Sequence, residues 1–421
     1  MAADGSWPIV WARASGVTVW DIEGRQFLDL TAAFGVAAAG HANPRVVRAG
    51  QRQMATLLHA MGDVHPHALK AELAQQLSAL TFGRWTRKDT GKTIFCNSGF
   101  ESVEAGLKTA LLATGKPGVI AFEGAYHGLG YGALNATHRE HFRRSFRTQL
   151  VKFGHFLPFP VVGESRSQQA DNAHALTELE AAAKDLFRRK RIGAILVEPI
   201  QARGGIRVPP PGFLPLLRQL CDDHGALLIL DEIYTGFGRT GTWFACEQAG
   251  VVPDLICLGK ALTGGFPLSA CVGRAAVMDR AWPLSNGEAI HTSTFLGHPV
   301  GCAMALENLR ELHRLRLVAR TARVGKWLSE ALAALSRVPG KFRCRGCGVG
   351  LMAGIELLRH DGSPAGSEAL AIIQRMLHRG FILLPEGEHG NVIGLTPPLT
   401  ITQVQLRRTL RALAEEIAAC P

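Results

Sequence analysis

Through the middle of the chain, unbroken apolar runs alternate with stretches of helical period. GAILVEPI (193–200), ALLILDEI (226–233), DLICLG (254–259) and SACVGR (269–274) read as strands apolar on both faces. Between the first two, PLLRQLCDDHG (215–225) reads as a helix, with Pro215 near its start and Gly225 past its end. Strands buried on both faces and joined through helices predict an α/β fold, a mostly parallel sheet covered by helices on both sides. After residue 300 the pattern changes. Two long amphipathic helices, near 299–316 and 319–337, lead to GLMAGIEL (350–357). A helix around 367–379 and the short strands FILL (381–384) and VIGL (392–395) follow. A final helix starts near Thr402, with Gln405 three residues on as its capping-box partner. At the other end, GVTVWDIEGRQFLDL (16–30) alternates like a hairpin with EGR at its turn. The expected division is an N-terminal segment (1–55) packing with the small domain, a large domain (56–310) and a smaller α+β domain (311–421).

Composition narrows the class. The 421 residues are 47% hydrophobic and 19% charged, as in a soluble globular protein. No apolar run approaches the ~20 residues that span a bilayer, and MAADGSWPIVWARASG lacks the basic-then-apolar layout of a signal peptide. A cytoplasmic protein without a membrane partner is expected. The nine cysteines lie scattered in apolar segments, which suits reduced thiols. Cys344 and Cys347 have CxxC spacing, but no second pair completes a metal site, so no metal is expected. The formal net charge of +11 gathers at Arg143, Arg144 and Arg147 and in RRKR (188–191). Without interleaved aromatics or a helix-turn-helix pattern, these clusters read as a solvated face that helps attract an anionic cofactor or substrate, not as a nucleic-acid surface.

Open parallel sheets bind ligands at the carboxyl ends of their strands. Glu198, Asp231 and Lys260 stand at three such ends, the last two 29 residues apart, one crossover. A lysine closing an apolar strand in ICLGKALTGGFP (256–267) is rare unless paired or used. Upstream, in CNSGFESVEAGLKTALLATG (96–115), Ser98 and Gly99 open a helix whose N-terminus suits a phosphate. Glu101 and Glu104 sit in its first turns, where the dipole itself favours acids. A phosphate cradle, a strand-end aspartate and a strand-end lysine together fit pyridoxal 5'-phosphate: Lys260 would hold the carbonyl as a Schiff base, and Asp231 would keep the pyridine nitrogen protonated.

Seven motifs in order carry a resemblance to the class III (ω-) aminotransferases, fold-type I pyridoxal-phosphate enzymes. They are GVTVWDIEGRQFLDL with GHANPRV (40–46), NSGFESVEA, AYHG (125–128), VEPIQ (197–201), LLILDEIYTGFGRTG (227–241), PDLICLGKALTGGFPLSA (253–270) and HTSTFLGHPVGCAMAL (291–306). The resemblance implies that Lys260 carries the cofactor and moves the proton, that Asp231 meets the ring nitrogen, and that Tyr126 stacks on the ring. It gives the phosphate to the N–H groups of Gly99 and Phe100 and to Thr294 of a partner subunit, and it sets Glu198 to order the lysine. It further implies a homodimer with shared active sites, which could pair again into a tetramer. His127 is expected to be a hydrogen-bonded core histidine.

The pocket departs from the pattern similar enzymes use for ω-amino acids. Leu129 stands where they carry an arginine after the aromatic-His-Gly motif, Arg203 replaces a gating glutamate, and Gly394 replaces that glutamate's arginine partner in GLTPPL. Tyr234 replaces a common glutamine and could offer its hydroxyl to the cofactor's phenolic oxygen. The expected reaction moves an amino group from an amine or ω-amino donor to pyruvate or 2-oxoglutarate by ping-pong chemistry, Arg203 holding the keto acid's carboxylate. The alternatives are a 4-aminobutyrate/ornithine-type aminotransferase and, because TWFACEQAGVVPD (242–254) resembles dialkylglycine decarboxylases, a decarboxylating transaminase.

Overall fold

The computed structural model describes residues 8–62, 64–86, 89–161, 166–284, 287–337 and 340–420; the expectations for residues 1–7 lie outside them. A seven-stranded sheet holds the centre, in the order Gly91–Cys96, Ser269–Arg274, Leu255–Leu258, Leu227–Asp231, Ile192–Val197, Gly118–Phe122, Gly154–Leu157. The strands pair in parallel from Leu255–Leu258 through Gly154–Leu157. Every residue of the strands beginning at Ile192, Leu227 and Leu255 is buried, which is why they read as unbroken apolar runs.

Ser269–Arg274 runs antiparallel to both its neighbours. Only residues 259–268 separate it from the preceding strand, and a parallel return needs a crossover of about a dozen residues or more. The chain turns there through a short 3₁₀ helix, Lys260–Leu262. Three strands of this sheet, Gly91–Cys96, Gly118–Phe122 and Gly154–Leu157, were not among the expected elements.

The helix Gly99–Thr114 crosses the sheet face closely. A methyl group on Gly106 would meet Ile229, Cys257 and Cys271 at 3.4–3.7 Å. That close approach sets the helix N-terminus over the strand ends. The expected helix at 215–225 begins earlier, at Phe213, and ends at Gly225 with φ +57. The later helices run Pro299–Arg314, Leu317–Ser336, Gly366–His378 and Gln403–Ala419, the last with the Thr402–Gln405 capping box in place.

FILL is two strands, not one. Phe381–Ile382 pairs in parallel with Gln26–Asp29 of the N-terminal hairpin. After Leu383 the chain re-enters a second antiparallel sheet as Leu384–Glu386, beside Val392–Leu395, Met352–Leu358 and Arg343–Val349. Cys344 and Cys347 both lie on Arg343–Val349, opposite Leu357 and Gly354 in an unbroken register. An odd spacing on a strand sends the two side chains to opposite faces, so CxxC here cannot grip one metal. Among the described residues no helix is long and apolar enough to cross a membrane, and no group of three or more His, Cys, Asp or Glu is placed to hold a metal ion.

Arg239 ties the sheets together. It is 2% exposed, and its Nη1 donates to the carbonyls of Leu351 and Pro397. Arg239→Met keeps the apolar stem but leaves both buried carbonyls without this donor, at roughly 1–3 kcal/mol each. We therefore expect the variant to lose about 2–4 kcal/mol in urea unfolding of the apoprotein; a change below about 0.5 kcal/mol, the ordinary surface level, would contradict that role.

Candidate active site

Two acids and one lysine converge where the central strands end. Asp231 closes Leu227–Asp231, Glu198 follows Ile192–Val197, and Lys260 follows Leu255–Leu258 across Gly259. All line one cavity of about 590 Å³, in the range of small-molecule sites. Lys260 has φ +36, in the left-handed region. Such a conformation costs of order 1–3 kcal/mol in a non-glycine residue and clusters at functional sites. Burial lowers the Lys260 pKa from 10.5, and Asp231, Glu198 and Glu386 oppose that shift. Desolvation outweighs three carboxylates, so the amine is more readily freed of its proton than an ordinary lysine's.

The acids are individually held. Glu198 accepts from the N–H of Tyr126 at 3.0 Å and of Ala202 at 3.2 Å. Burial pushes its pKa up to about 7, with His127 pulling it down and Asp231 pushing it further up. The Asp231 Oδ2 lies 2.8 Å from Nδ1 of His127, which is buried. His127 is therefore a hydrogen-bonded interior histidine whose partner is the strand-end aspartate. Its other ring nitrogen, Nε2, is buried without a hydrogen bond.

The loop bearing Tyr126 and His127 is fixed by glycine. Gly128 has φ +111, and a Cβ there would stand 2.3 Å from that of Phe100. This contact locks the loop over the first turn of Gly99–Thr114. Gly99 and Phe100 line the cavity as the first two helical residues, whose N–H groups have no intrahelical acceptor. Ser98 precedes them as N-cap, and its Oγ is buried without a partner. Glu101 accepts from the N–H groups of Asn97 and Ser98, and Glu104 from Gly132, so both acids of this helix do structural duty.

Tyr126, Leu129, Arg203 and Tyr234 also line the cavity. The Tyr234 hydroxyl lies 3.1 Å from Thr396 Oγ1, while its ring faces Lys260 Nζ at 4.4 Å from the centroid. The expectation had the hydroxyl, not the ring, facing the site; the side chain runs past the lysine toward Thr396. Thr294 is exposed and does not line this cavity. Gly394 lies on Val392–Leu395, where an added Cβ would touch Glu386 Cγ at 3.2 Å.

Glu386 was not among the expected residues. It is 7% exposed at the end of Leu384–Glu386, and burial raises its pKa to about 7 while Arg203 and Lys260 lower it. Its Oε2 makes no hydrogen bond and lies 3.6 Å from Arg203 Nη1. Nothing local in LLPEGEH signals this, since it depends on the strand break at Leu383. Phe34, whose ring reaches the cavity mouth, was likewise unforeseen; it belongs to a left-handed turn, Ala32 (φ 47), Ala33 (φ 49) and Phe34 (φ 60).

A lysine with lowered pKa, a buried strand-end aspartate and an unpartnered hydroxyl at a helix N-terminus fit pyridoxal phosphate: an amine for the carbonyl, an acid for the ring nitrogen, donors for the phosphate. Fold and site thus define a fold-type I pyridoxal-phosphate enzyme. The model of the family Aminotransferase class-III matches residues 1–417. The chain is 36% identical over 419 residues to a 5-aminovalerate aminotransferase of Pseudomonas aeruginosa, covering 97% of this chain and 93% of that protein. It is 34% identical over 420 residues to an acetylornithine aminotransferase of Methanosarcina acetivorans, covering 99% and 93%. Among solved structures, a pyridoxal-phosphate-bound amine transaminase from an uncultivated Pseudomonas species superposes with a TM-score of 0.89 at 30% identity, covering 100% of this chain and 97% of the other. An (S)-enantioselective omega-transaminase from Thermomicrobium roseum gives 0.85 at 30%, covering 98% and 92%. The chain belongs to the class III aminotransferases, which are pyridoxal-phosphate-dependent transaminases.

The lowered Lys260 pKa has a direct readout in the apoprotein. Pulse labelling with an amine-reactive reagent across pH, mapped by peptide, should give Lys260 a reactivity midpoint below 10.5. A midpoint at or above that of exposed lysines would contradict it.

Proposed function

We propose that this transaminase takes its amino group from an amine or ω-amino donor and delivers it to a keto acid, pyruvate or 2-oxoglutarate. The observation that carries this reading is Arg203, whose guanidinium enters the cavity of Lys260 while positions 129 and 394 hold leucine and glycine. One arginine can bind one carboxylate by a bidentate fork. The acceptor needs it, and a donor without a carboxylate does not. The names of the relatives divide between ω-amino-acid and amine transaminases. The ω-amino-acid reading stays as the second, supported by Arg139, whose charge bears on both Arg203 and Glu386.

In this reading Lys260 Nζ holds the cofactor, and the Gly99 and Phe100 N–H groups with Ser98 hold its phosphate. Asp231, oriented by His127, meets the ring nitrogen, and Tyr126 covers one face. Bound pyridoxal phosphate supplies an electron sink that makes the hydrogen on the amine-bearing carbon acidic. Lys260 Nζ, whose pKa burial lowers, would be the group that takes up and returns that proton. Glu198, fixed by the Tyr126 and Ala202 N–H groups, orders the amine. The site is completed by a second copy of the chain. Thr294 would serve its partner's phosphate, and it lies beside Ile290 at 75% and Phe295 at 53% exposure, apolar surface suited to burial between subunits. The enzyme works in the cytoplasm.

Absorption of the holoenzyme on adding single donors tests the donor. Loss of the cofactor's carbonyl-form band with an arylalkylamine, and little loss with ornithine or 4-aminobutyrate, is expected; the reverse order would favour the ω-amino-acid reading. Arg203→Ala should raise the KM for every keto acid by about 10-fold or more, as for a lost charge-assisted contact of at least 1.4 kcal/mol, and unchanged KM values would refute its role.

A further inference from the structure

A second cavity, of about 280 Å³, lies beside the other limb of the hairpin that presents Arg203. The hairpin is short and fixed. Gln201 and Arg207 exchange both backbone hydrogen bonds, at 3.1 and 2.9 Å, and the N–H groups of Gly205 and Ile206 both donate to the carbonyl of Ala202. Arg203, on the first limb, lines the Lys260 cavity, and Gly205 to Val208, on the second, wall the other one. Ile206 is buried with φ +52, a strained backbone for a β-branched residue. A Cβ on Gly354 would stand 2.9 Å from its Cδ1, so the second sheet leaves a notch for this side chain. The opposite walls are the helix Leu317–Ser336, through Leu332 and Ala333, and the strand Arg343–Val349, through Arg345 and Cys347. The two cavities share no lining residue.

We propose that this second cavity binds a small organic anion, a carboxylate carried on a compact apolar body such as one ring. Val161, Ile206, Val208 and Leu332 give it an apolar wall, and Arg207 and Arg345 give it positive charge. Among the described residues no carboxylate lines it, and the Arg207 side chain has no hydrogen bond or ion pair. Arg345 pairs with Glu356 through Nη2 at 2.6 Å, while its Nε is buried without an acceptor. A buried donor left in that state is costly, and an incoming carboxylate offers it a charge-assisted partner. The volume lies at the low end of small-molecule sites, ~300–1,000 Å³, which limits the body to a compact one. A bare anion would leave the apolar wall unfilled, and a neutral ring would leave the arginines unmet. A peptide strand adding at the edge of Arg343–Val349 would need the Gly346 N–H, which Ser336 Oγ already accepts at 2.8 Å.

The test titrates 4-fluorobenzoate into the holoenzyme and follows it by fluorine NMR. Saturable binding is expected, about 10-fold tighter than that of 4-fluorobenzamide, the scale of one charge-assisted contact. Arg207→Gln should weaken it about 5-fold, the scale of one partly exposed charge. Ala333→Phe should fill the cavity and abolish binding while the cofactor spectrum stays parental. Ser329→Phe, one turn earlier on the same exposed helix face, is the second filler should the first not fold. Arg203→Ala should leave the binding in place, which separates this site from the Lys260 cavity. If binding is lost in Arg203→Ala and survives both fillers, the probe sits in the Lys260 cavity and the proposal is overturned, whatever becomes of the reading of Arg203. Absence of saturable binding, or equal binding of the amide, would overturn it as well.

Discussion

The structure turns on one desolvated amine. Placing Lys260 at the end of a strand whose residues are all buried takes its ammonium out of water, and only ionised neighbours can offset the loss. The acids that offset it are themselves desolvated, which is why Glu198 and Glu386 are pushed up to about 7. Neither side fully satisfies the other. The charges share a cavity with room for a ligand, a backbone at φ +36 and polar atoms without partners, a site organised around something that is to be bound.

The surrounding scaffold serves to keep that arrangement rigid. Parallel strands deliver Asp231, Glu198 and Lys260 to one edge, and the glycine contact at Gly106 holds the helix Gly99–Thr114 over them. Gly128 pins the Tyr126–His127 loop to that helix, and the His127–Asp231 contact joins loop to strand. The segment that carries Tyr234 along the cavity is fastened to the second sheet and its loops through Arg239 and the Tyr234–Thr396 contact. The residues suited to the cofactor, Lys260, Asp231 and Gly99, therefore stand at the ends of central strands and on a long helix. Arg203 and Glu386, by contrast, stand on a loop and a short edge strand, where change is tolerated.

Much of this was legible in the chain itself. Lys260, Asp231 and Glu198 stand out because strand ends in a parallel sheet are where ligands go, and Ser98 and Gly99 because a helix N-terminus has a local signature. What could not be read depends on contacts distant in sequence. The reversed direction of Ser269–Arg274 follows from the shortness of its connection, which apolar runs alone do not reveal. The break in FILL is decided by two different sheets competing for neighbouring residues, and Glu386 comes within reach of Arg203 only as its consequence. His127 was visible in AYHG, but its partner lies 104 residues away.

The most direct test of the central claim is to reduce the holoenzyme with borohydride, digest it and map the pyridoxyl group by mass spectrometry. The account predicts a single modified lysine, Lys260, with Lys260→Ala protein yielding none. A pyridoxyl group on any other lysine of the unaltered enzyme, with Lys260 left unmodified, would contradict it.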